Sequence, residues 1–280
     1  MFRTVEAAVP VSSIYAPRRR LRPVTARCFF PARPAFSSVR GPLSRVPVTG
    51  RRQHARPHNF HSVRMLRFSL FGFPIGIHWM FWVVMALLGG AASGLDRPGA
   101  MEDLGIWIGV GLVSILWHEL GHAFLQRKYG AQPQILLYGG GGLAVAHGAR
   151  FTRTQSFIVS AAGPAFGLML GAAAWLALRY LDVPRGVGRD VLVTAVFINV
   201  AWTALNLLPV MPLDGGHMLS AVLGGRRQLV AGIGVVVAAA AAFILFGYFG
   251  QLYAAIMFGF FAFENLKVLR APAGAPPPVP

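Results

Sequence analysis

The stretch HELGH at residues 118–122 lies inside a hydrophobic run that extends from about residue 104 to residue 125. On an α-helix, side chains four residues apart project from the same face, so His118 and His122 can bind one metal ion together. Glu119 lies beside the first of these ligands, where its carboxylate could accept a proton from a water at the metal. Two imidazoles and a carboxylate are costly in an apolar segment unless a cation neutralises them. The pattern therefore predicts a zinc site on a helix that crosses a membrane.

A second unusual stretch, NLLPVMPLDGG at residues 206–216, follows another hydrophobic segment. Pro209 and Pro212 cannot continue a regular helix, because each lacks an N–H group and crowds the preceding turn. Irregular backbone at membrane depth is tolerated only where protein or a wet cavity surrounds it. The break contains one carboxylate, Asp214, without an obvious cationic neighbour in sequence. We interpret Asp214 as a third zinc ligand that leaves a fourth position for water; the alternative is a carboxylate that caps the helix after the break.

The composition indicates a membrane protein with several spans. Of the 280 residues, 55% are hydrophobic and only 12% are charged, whereas about a quarter of the residues of a soluble protein are charged. The net charge of +17 could suggest a nucleic-acid binder, but residues 1–64 hold 13 of the 26 basic residues and a single acid, Glu6. Because the excess charge belongs mostly to one tail, we expect no nucleic acid as a partner. The single Cys28 excludes an internal disulfide and a thiolate-rich zinc site.

The chain divides into a central membrane domain at residues 65–270 and two tails. Residues 1–64 are rich in Arg, Pro and Ser and show no sustained hydrophobic periodicity, so we expect a disordered basic extension. Three interpretations of it stay open: a start codon assigned too far upstream, with Met65 as the true start; a natural tail that contacts anionic lipid; and an organellar transit peptide. Residues 271–280 form an Ala/Pro-rich tail that we also expect to be disordered.

From residue 68 onward, hydrophobic segments alternate with short polar breaks. Each segment is close to the ~20 residues that cross a bilayer as a helix, and the first is the shortest. We place six spans near residues 78–93, 104–125, 156–179, 190–208, 229–247 and 250–267. The predicted fold class is an all-α membrane protein with about six transmembrane helices and a short extended or hairpin segment between spans two and three.

The distribution of Arg and Lys predicts the orientation of these spans, because cytoplasmic loops carry an excess of positive charge. With a cytoplasmic N-terminus, ten basic residues lie on the cytoplasmic side, namely Arg64, Arg67, Arg127, Lys128, Arg150, Arg153, Arg226, Arg227, Lys267 and Arg270. The opposite side then carries four, namely Arg97, Arg179, Arg185 and Arg189. We therefore expect a multi-pass integral membrane protein whose N-terminus is cytoplasmic. Span two then runs inward and brings its histidines nearer the cytoplasmic face.

At residues 118–122 and 206–216 the sequence resembles the site-2 protease family of intramembrane zinc metalloproteases, which has a His-Glu-x-Gly-His helix and an Asn-x-x-Pro-x-x-Pro-Leu-Asp-Gly-Gly-like motif. The similarity extends from about residue 66 to residue 268. The lead-in FGFPIGIH at residues 71–78 also looks like the family's entry to its first span. Gly167 stands where the family commonly has Asn, a departure that leaves both metal motifs intact.

The resemblance implies a core of transmembrane helices that cleaves the membrane segment of a substrate. It assigns the binding of one Zn²⁺ ion per chain to His118, His122 and Asp214. By the same resemblance, Glu119 is the general base and acid, and Asn206 holds the substrate backbone or the developing oxyanion. We expect a compact form with neither a PDZ domain nor a C-terminal regulatory domain, so that regulation comes from partners, substrate availability or an earlier cleavage.

The predicted function is that of a zinc-dependent intramembrane endopeptidase acting on membrane-protein substrates, in a bacterial cell membrane rather than an organellar one. The alternative is a non-proteolytic metal-binding transporter, or an inactive scaffold of the same fold. Glu119 discriminates between them, because hydrolysis needs a carboxylate beside the ligand histidines and transport does not. The glycine run Gly139–Gly142 has two open interpretations: an exposed strand edge that pairs with an unwound substrate, or a loop or hairpin packed on the core.

Overall fold

The structure, a computed structural model, describes residues 65–90 and 95–271. The predicted basic extension at residues 1–64 lies outside the described residues, as does the predicted Ala/Pro tail apart from residue 271. Both therefore stay predictions. Within the described residues the chain is mostly helical and contains one small β-sheet.

Seven helices occur in the described part of the chain, namely α1 (Trp79–Leu88), α2 (Ala100–Lys128), α3 (Arg153–Tyr180), α4 (Val187–Asn206), α5 (Asp214–Val222), α6 (Arg227–Gly247) and α7 (Leu252–Arg270). Five of them, α2, α3, α4, α6 and α7, are long and apolar enough to cross a membrane. These five coincide with predicted spans two to six. The predicted span at residues 190–208 ends two residues late, because α4 ends at Asn206, ahead of the two prolines that interrupt the chain.

The first predicted span, residues 78–93, corresponds to α1, which is shorter than expected. α1 has 10 residues and is therefore about 15 Å long, whereas the hydrocarbon core of a bilayer is about 30 Å thick. Residues 91–94 lie outside the described residues. The structure thus shows five candidate spans, and the sixth stays a prediction.

A four-stranded sheet corrects the all-α expectation. Its strands, in order across the sheet, are β1 (Met65–Leu70), β2 (Phe73–His78), β3 (Gln132–Tyr138) and β4 (Gly141–His147). β1 and β2 form a hairpin because Phe71 and Gly72 both adopt positive φ, as in a two-residue type I′ turn. β3 and β4 are antiparallel, and β2 pairs in parallel with β3. The expectation failed because the β2–β3 pairing joins segments that lie on either side of α1 and α2.

One buried cluster fixes the sheet against α2. It includes Phe73 and Ile75 of β2, Ile135 and Leu137 of β3, and Ile115 of α2. The strand residues of this cluster alternate in sequence, because successive side chains of a strand point to opposite faces. The cluster therefore sets the position of β3 and β4 relative to the helix that carries the two histidines.

A second buried cluster fixes the irregular segment between α4 and α5. Val210, in this segment, is fully buried and packs in one cluster with Ala238 of α6 and with Phe258 and Phe261 of α7. The α6–α7 pair therefore holds the segment that ends at Asp214, the first residue of α5.

Candidate metal centre

α2 presents His118 and His122 on one face of its C-terminal half. The two side chains are 2% and 7% exposed, and their Nε2 atoms lie 3.2 Å apart. His122 Nδ1 donates a hydrogen bond to the backbone carbonyl of Val159 in α3, at 2.7 Å. Because a carbonyl can only accept, Nδ1 carries the proton, and Nε2 of the neutral ring carries a lone pair. His122 therefore directs a metal-binding atom toward His118.

The break between α4 and α5 brings Asp214 to the same place. Oδ2 of Asp214 lies 3.0 Å from His118 Nε2, and Oδ1 lies 3.2 Å from His122 Nε2. The N-cap of α5 is Leu213, and no side-chain cap hydrogen bond is made there. The carboxylate is thus directed at the imidazoles and does not cap the helix, which was the alternative interpretation of this residue.

The three groups fit a zinc ion. Their contacts are 3.0, 3.2 and 3.2 Å long, and a tetrahedral zinc with ligands at about 2.0–2.1 Å places those ligands about 3.3 Å apart. The lone pair of His122 Nε2 faces a carboxylate oxygen, an arrangement that a cation between them makes favourable. The hydrogen bond from His122 Nδ1 to a carbonyl is the usual outer contact of a zinc-bound histidine. Two imidazoles with one carboxylate are typical of zinc sites that keep an open position.

Glu119 lies next to these ligands and is 5% exposed. One ligand atom each of His118, Glu119 and His122 can be chosen so that all three lie within 4.8 Å of one another. The Glu119 side chain also contacts β4, because a Cβ built on Gly142 would lie 2.5 Å from Glu119 Oε1. The backbone N–H of Ala144 lies near the Glu119 carboxylate. β4 therefore fixes the carboxylate beside the candidate metal ligands.

The candidate site lines a cavity of about 680 Å³. All five predicted site residues contribute to its wall, including Asn206 at the end of α4. Asn206 Nδ2 donates to the carbonyl of Trp202 at 2.9 Å, which fixes the amide against its own helix. The structure thus brings His118, His122 and Asp214 into mutual contact and places Asn206 elsewhere on the cavity wall.

Tyr138, at the end of β3, adds a hydroxyl group to the same wall. Burial, and to a lesser degree the charge of Glu119, raise the pKa of this hydroxyl above its ordinary value. Tyr138 therefore stays protonated at neutral pH and can donate a hydrogen bond within the cavity.

Sequence reasoning did not predict the contacts that two glycines make with the site residues. A Cβ built on Gly163 of α3 would collide with His122 Nε2 and would lie 2.6 Å from His118 Nε2. Gly142 of β4 makes similar room for Glu119. The available signal for Gly163 was the Gly163-Pro164 pair inside a long apolar helix, since glycine in a helix interior is unfavourable and indicates a close approach.

The sequence is similar to one peptidase family and to several named proteins. Residues 183–247 match the model of Peptidase family M50. Zinc metalloprotease MJ0392 of Methanocaldococcus jannaschii is 27% identical over 170 residues, which cover 59% of this chain and 47% of that protein. Stage IV sporulation protein FB of Bacillus subtilis is 32% identical over 148 residues, which cover 52% of this chain and 46% of that protein. The chain thus spans about half the length of the curated relatives it matches.

One solved structure has a fold similar to that of this chain. The site-2 protease from Methanocaldococcus jannaschii aligns with a TM-score of 0.53 and 22% identity, over 76% of this chain and 99% of that chain. The match shows a shared fold. Together with the family model and the names of the relatives, it confirms the resemblance to the site-2 proteases that the two motifs indicated. The part that matches the family model includes Asp214 and the break before it.

Proposed function

We propose that the protein is a zinc-dependent endopeptidase that hydrolyses peptide bonds in or near the transmembrane segments of membrane-protein substrates. The observation that carries this proposal is the mutual contact of His118, His122 and Asp214 beside the buried Glu119, on the wall of one cavity. We assign the binding of one zinc ion to the first three residues. When bound, zinc polarises a peptide carbonyl and acidifies water.

Glu119 is the general base and acid in this proposal. Its carboxylate accepts a proton from the attacking water and later donates it to the leaving amine nitrogen, a role that contributes about 100- to 10,000-fold to rate in other enzymes. Asn206 Nδ2 uses one N–H in its bond to Trp202. We assign its second N–H to the substrate backbone or to the developing oxyanion.

The substrate is expected to bind as an unwound segment, because a helical peptide bond shields its carbonyl from attack. β4 supports this expectation, since it is the last strand in the order of the sheet and contributes Gly142, Leu143 and Ala144 to the cavity wall. We propose that the run Gly139–Gly142 and β4 together form an edge along which the unwound substrate lies. The missing side chain at Gly142 lets Glu119 approach that edge.

The proposed setting is a bacterial cell membrane, with the N-terminus in the cytoplasm and with the lipid bilayer and membrane-protein substrates as partners. Five long apolar helices support the integral membrane assignment. The excess of ten basic residues over four supports the orientation.

Two substitutions test the assigned roles. Glu119→Gln should retain zinc and abolish cleavage of a synthetic transmembrane peptide, because it removes the proton acceptor and leaves the three ligands in place. His118→Ala should lose both zinc and cleavage, because it removes one ligand. Metal analysis of the purified protein and mass spectrometry of the cleavage products measure the two effects.

Glu264→Gln is the matched control for the carboxylate. Glu264 pairs with Lys267 at 2.6 Å and does not line the cavity, so this variant should cleave like the wild type. Equal proteolysis by the wild type and by Glu119→Gln would refute the role given to Glu119. Zinc binding without any proteolysis by the wild type would favour the transporter or the inactive scaffold.

A further inference from the structure

α2 carries another buried polar side chain on the face that holds the two histidines. Gln126 follows His122 by four residues and His118 by eight, so the three side chains project in similar directions. Gln126 is 6% exposed and lines the same cavity, about 6 Å along the helix axis from His122. The helix therefore presents two imidazoles and an amide to the same cavity.

The orientation of this amide follows from its contact with β4. Gln126 Nε2 donates to the backbone carbonyl of Ala144 at 2.9 Å. A carbonyl can only accept, so the nitrogen of the amide must be the atom that faces Ala144. Oε1 is then the remaining polar atom; it is buried and has no hydrogen-bond partner within residues 65–90 and 95–271. A buried acceptor of this kind is costly unless a ligand supplies a donor.

Ala144 is held from the helix side by two residues of α2. Its carbonyl accepts a hydrogen bond from Gln126, and its N–H lies near the Glu119 carboxylate. In an antiparallel pair of strands, the N–H and C=O of one residue point in the same direction. The side of β4 that faces away from β3 at Ala144 therefore faces Gln126 and Glu119. The unpaired Oε1 belongs to a side chain that lines the cavity beside this contact between β4 and α2.

A partner of Oε1 must supply a hydrogen-bond donor, and a peptide can supply one from its backbone N–H groups. A helical peptide has few free backbone N–H groups, because most of them are hydrogen-bonded within the helix. An unwound peptide exposes an N–H group at nearly every residue. We propose that Gln126 is a substrate-positioning residue: Oε1 accepts a hydrogen bond from a backbone N–H of an unwound peptide, while Nε2 holds β4 beside that peptide. The inference rests on the proposed peptidase function and adds a residue that favours unwound over helical substrate backbone.

Binding of synthetic peptides to the full-length Glu119→Gln protein in detergent tests this role. The probe is a lysine-flanked transmembrane peptide of about 20 Leu and Ala residues with a central Gly-Ser pair. In a series of analogues, each central amide in turn is replaced by an ester, which keeps the backbone shape and lacks the N–H. We expect one ester to weaken binding about three- to tenfold, as for the loss of a single hydrogen bond.

The same ester should carry no such penalty once Gln126 is also replaced by Met, which has a similar length and no amide oxygen. Gln228→Met is the matched control, because Gln228 also donates to a carbonyl, that of Ala271 at 3.4 Å, but is exposed and outside the cavity. Absence of binding, or ester penalties that do not depend on Gln126, would overturn the proposal. A Gln126-dependent penalty combined with a wild type that leaves the peptide uncut would count against the peptidase function alone.

Discussion

At Gly163 the backbone of α3 lies against both imidazole rings. Replacement by Ala would place a methyl group against the Nε2 atoms of His118 and His122, the two atoms that we assign to the metal. Neither ring can move away easily, because both are buried. We therefore expect Gly163→Ala to lower the affinity for zinc by at least about tenfold, the lower end of the effect of disturbed ligand surroundings. Competition with a chromogenic zinc chelator measures this affinity.

Gly109→Ala on α2 is the matched control for this substitution. A Cβ at Gly109 meets nothing within 4 Å, and Ala has a higher helix propensity than Gly. This variant should therefore keep its zinc and gain a little helix stability. If Gly163→Ala bound zinc as tightly as Gly109→Ala, the assignment of the two Nε2 atoms to the metal would be wrong.

A substitution at Gly142 tests the role of Glu119 separately from the roles of the metal ligands. The three nearest atoms to a Cβ at Gly142 all belong to Glu119, so Gly142→Ala should displace the carboxylate and leave zinc bound. We expect the kcat of peptide cleavage to fall at least about 100-fold, the lower end of the contribution of general acid–base catalysis. Gly105→Ala on α2 is the control, since a Cβ built there meets nothing within 4 Å. Loss of zinc in Gly142→Ala would contradict separate roles.

Site residues whose role follows from local spacing or local surroundings could be predicted from the sequence. The spacing of His118 and His122 is a property of one helix, and the cost of the isolated Asp214 follows from its apolar surroundings. Gly163 and Gln126 could not be found in this way. The Gly163-Pro164 pair indicates a close approach but not its partner. The element that lies opposite, α2 for Gly163 and β4 for Gln126, is set by tertiary packing.

Among the elements, the five long helices could be predicted because a lipid-facing helix must be apolar over its whole length. The sheet could not, because the register that places Ile75 opposite Ile135 is set by packing across α1 and α2. Strand pairing of this kind depends on tertiary contacts more than on local propensity. α5 was not predicted with bounds of its own, since its nine residues are too short for a span and follow directly after the break.

The α6–α7 pair is tied to the segment before α5 by a buried amide. Asn265 of α7, 2% exposed, donates to Met211 O at 2.8 Å. Asn265→Leu keeps a similar shape but leaves the Met211 carbonyl without this donor, at a cost of about 1–3 kcal/mol. We expect a lower Tm and weaker zinc binding, because Met211 lies three residues before Asp214. Thermal unfolding in detergent, with and without a chelator, measures both effects.

The surface ion pair on the same helix provides the control variant for Asn265→Leu. Glu264→Gln removes the contact with Lys267, and exposed pairs of this type contribute about 0–1 kcal/mol. Its Tm should stay close to that of the wild type. The same Tm for Asn265→Leu and Glu264→Gln would mean that the α7 amide does not support the segment before Asp214.

At the scale of the whole molecule, basic residues gather where several helices begin or end together. Arg127 and Lys128 end α2, and Arg153 begins α3. Arg153 Nη2 donates to Gly224 O at 3.3 Å, just before α6, so the start of α3 lies beside the start of α6 and Arg226. Successive long helices then alternate in direction, as crossings of a membrane require. We propose from the positive-inside rule that this basic end faces the cytoplasm.

Cysteine labelling tests that assignment, because Cys28 is the chain's single cysteine and Cys28→Ser leaves a background without thiols. Lys128→Cys at the end of α2 and Arg185→Cys between α3 and α4 then introduce one exposed thiol at each end of the helices. In right-side-out vesicles, a membrane-impermeant maleimide should label Arg185→Cys at once and Lys128→Cys only after detergent is added. The reverse pattern would invert the orientation. Labelling of both without detergent would contradict a bilayer between the two positions, which are connected by α3, a helix of 28 residues and about 42 Å.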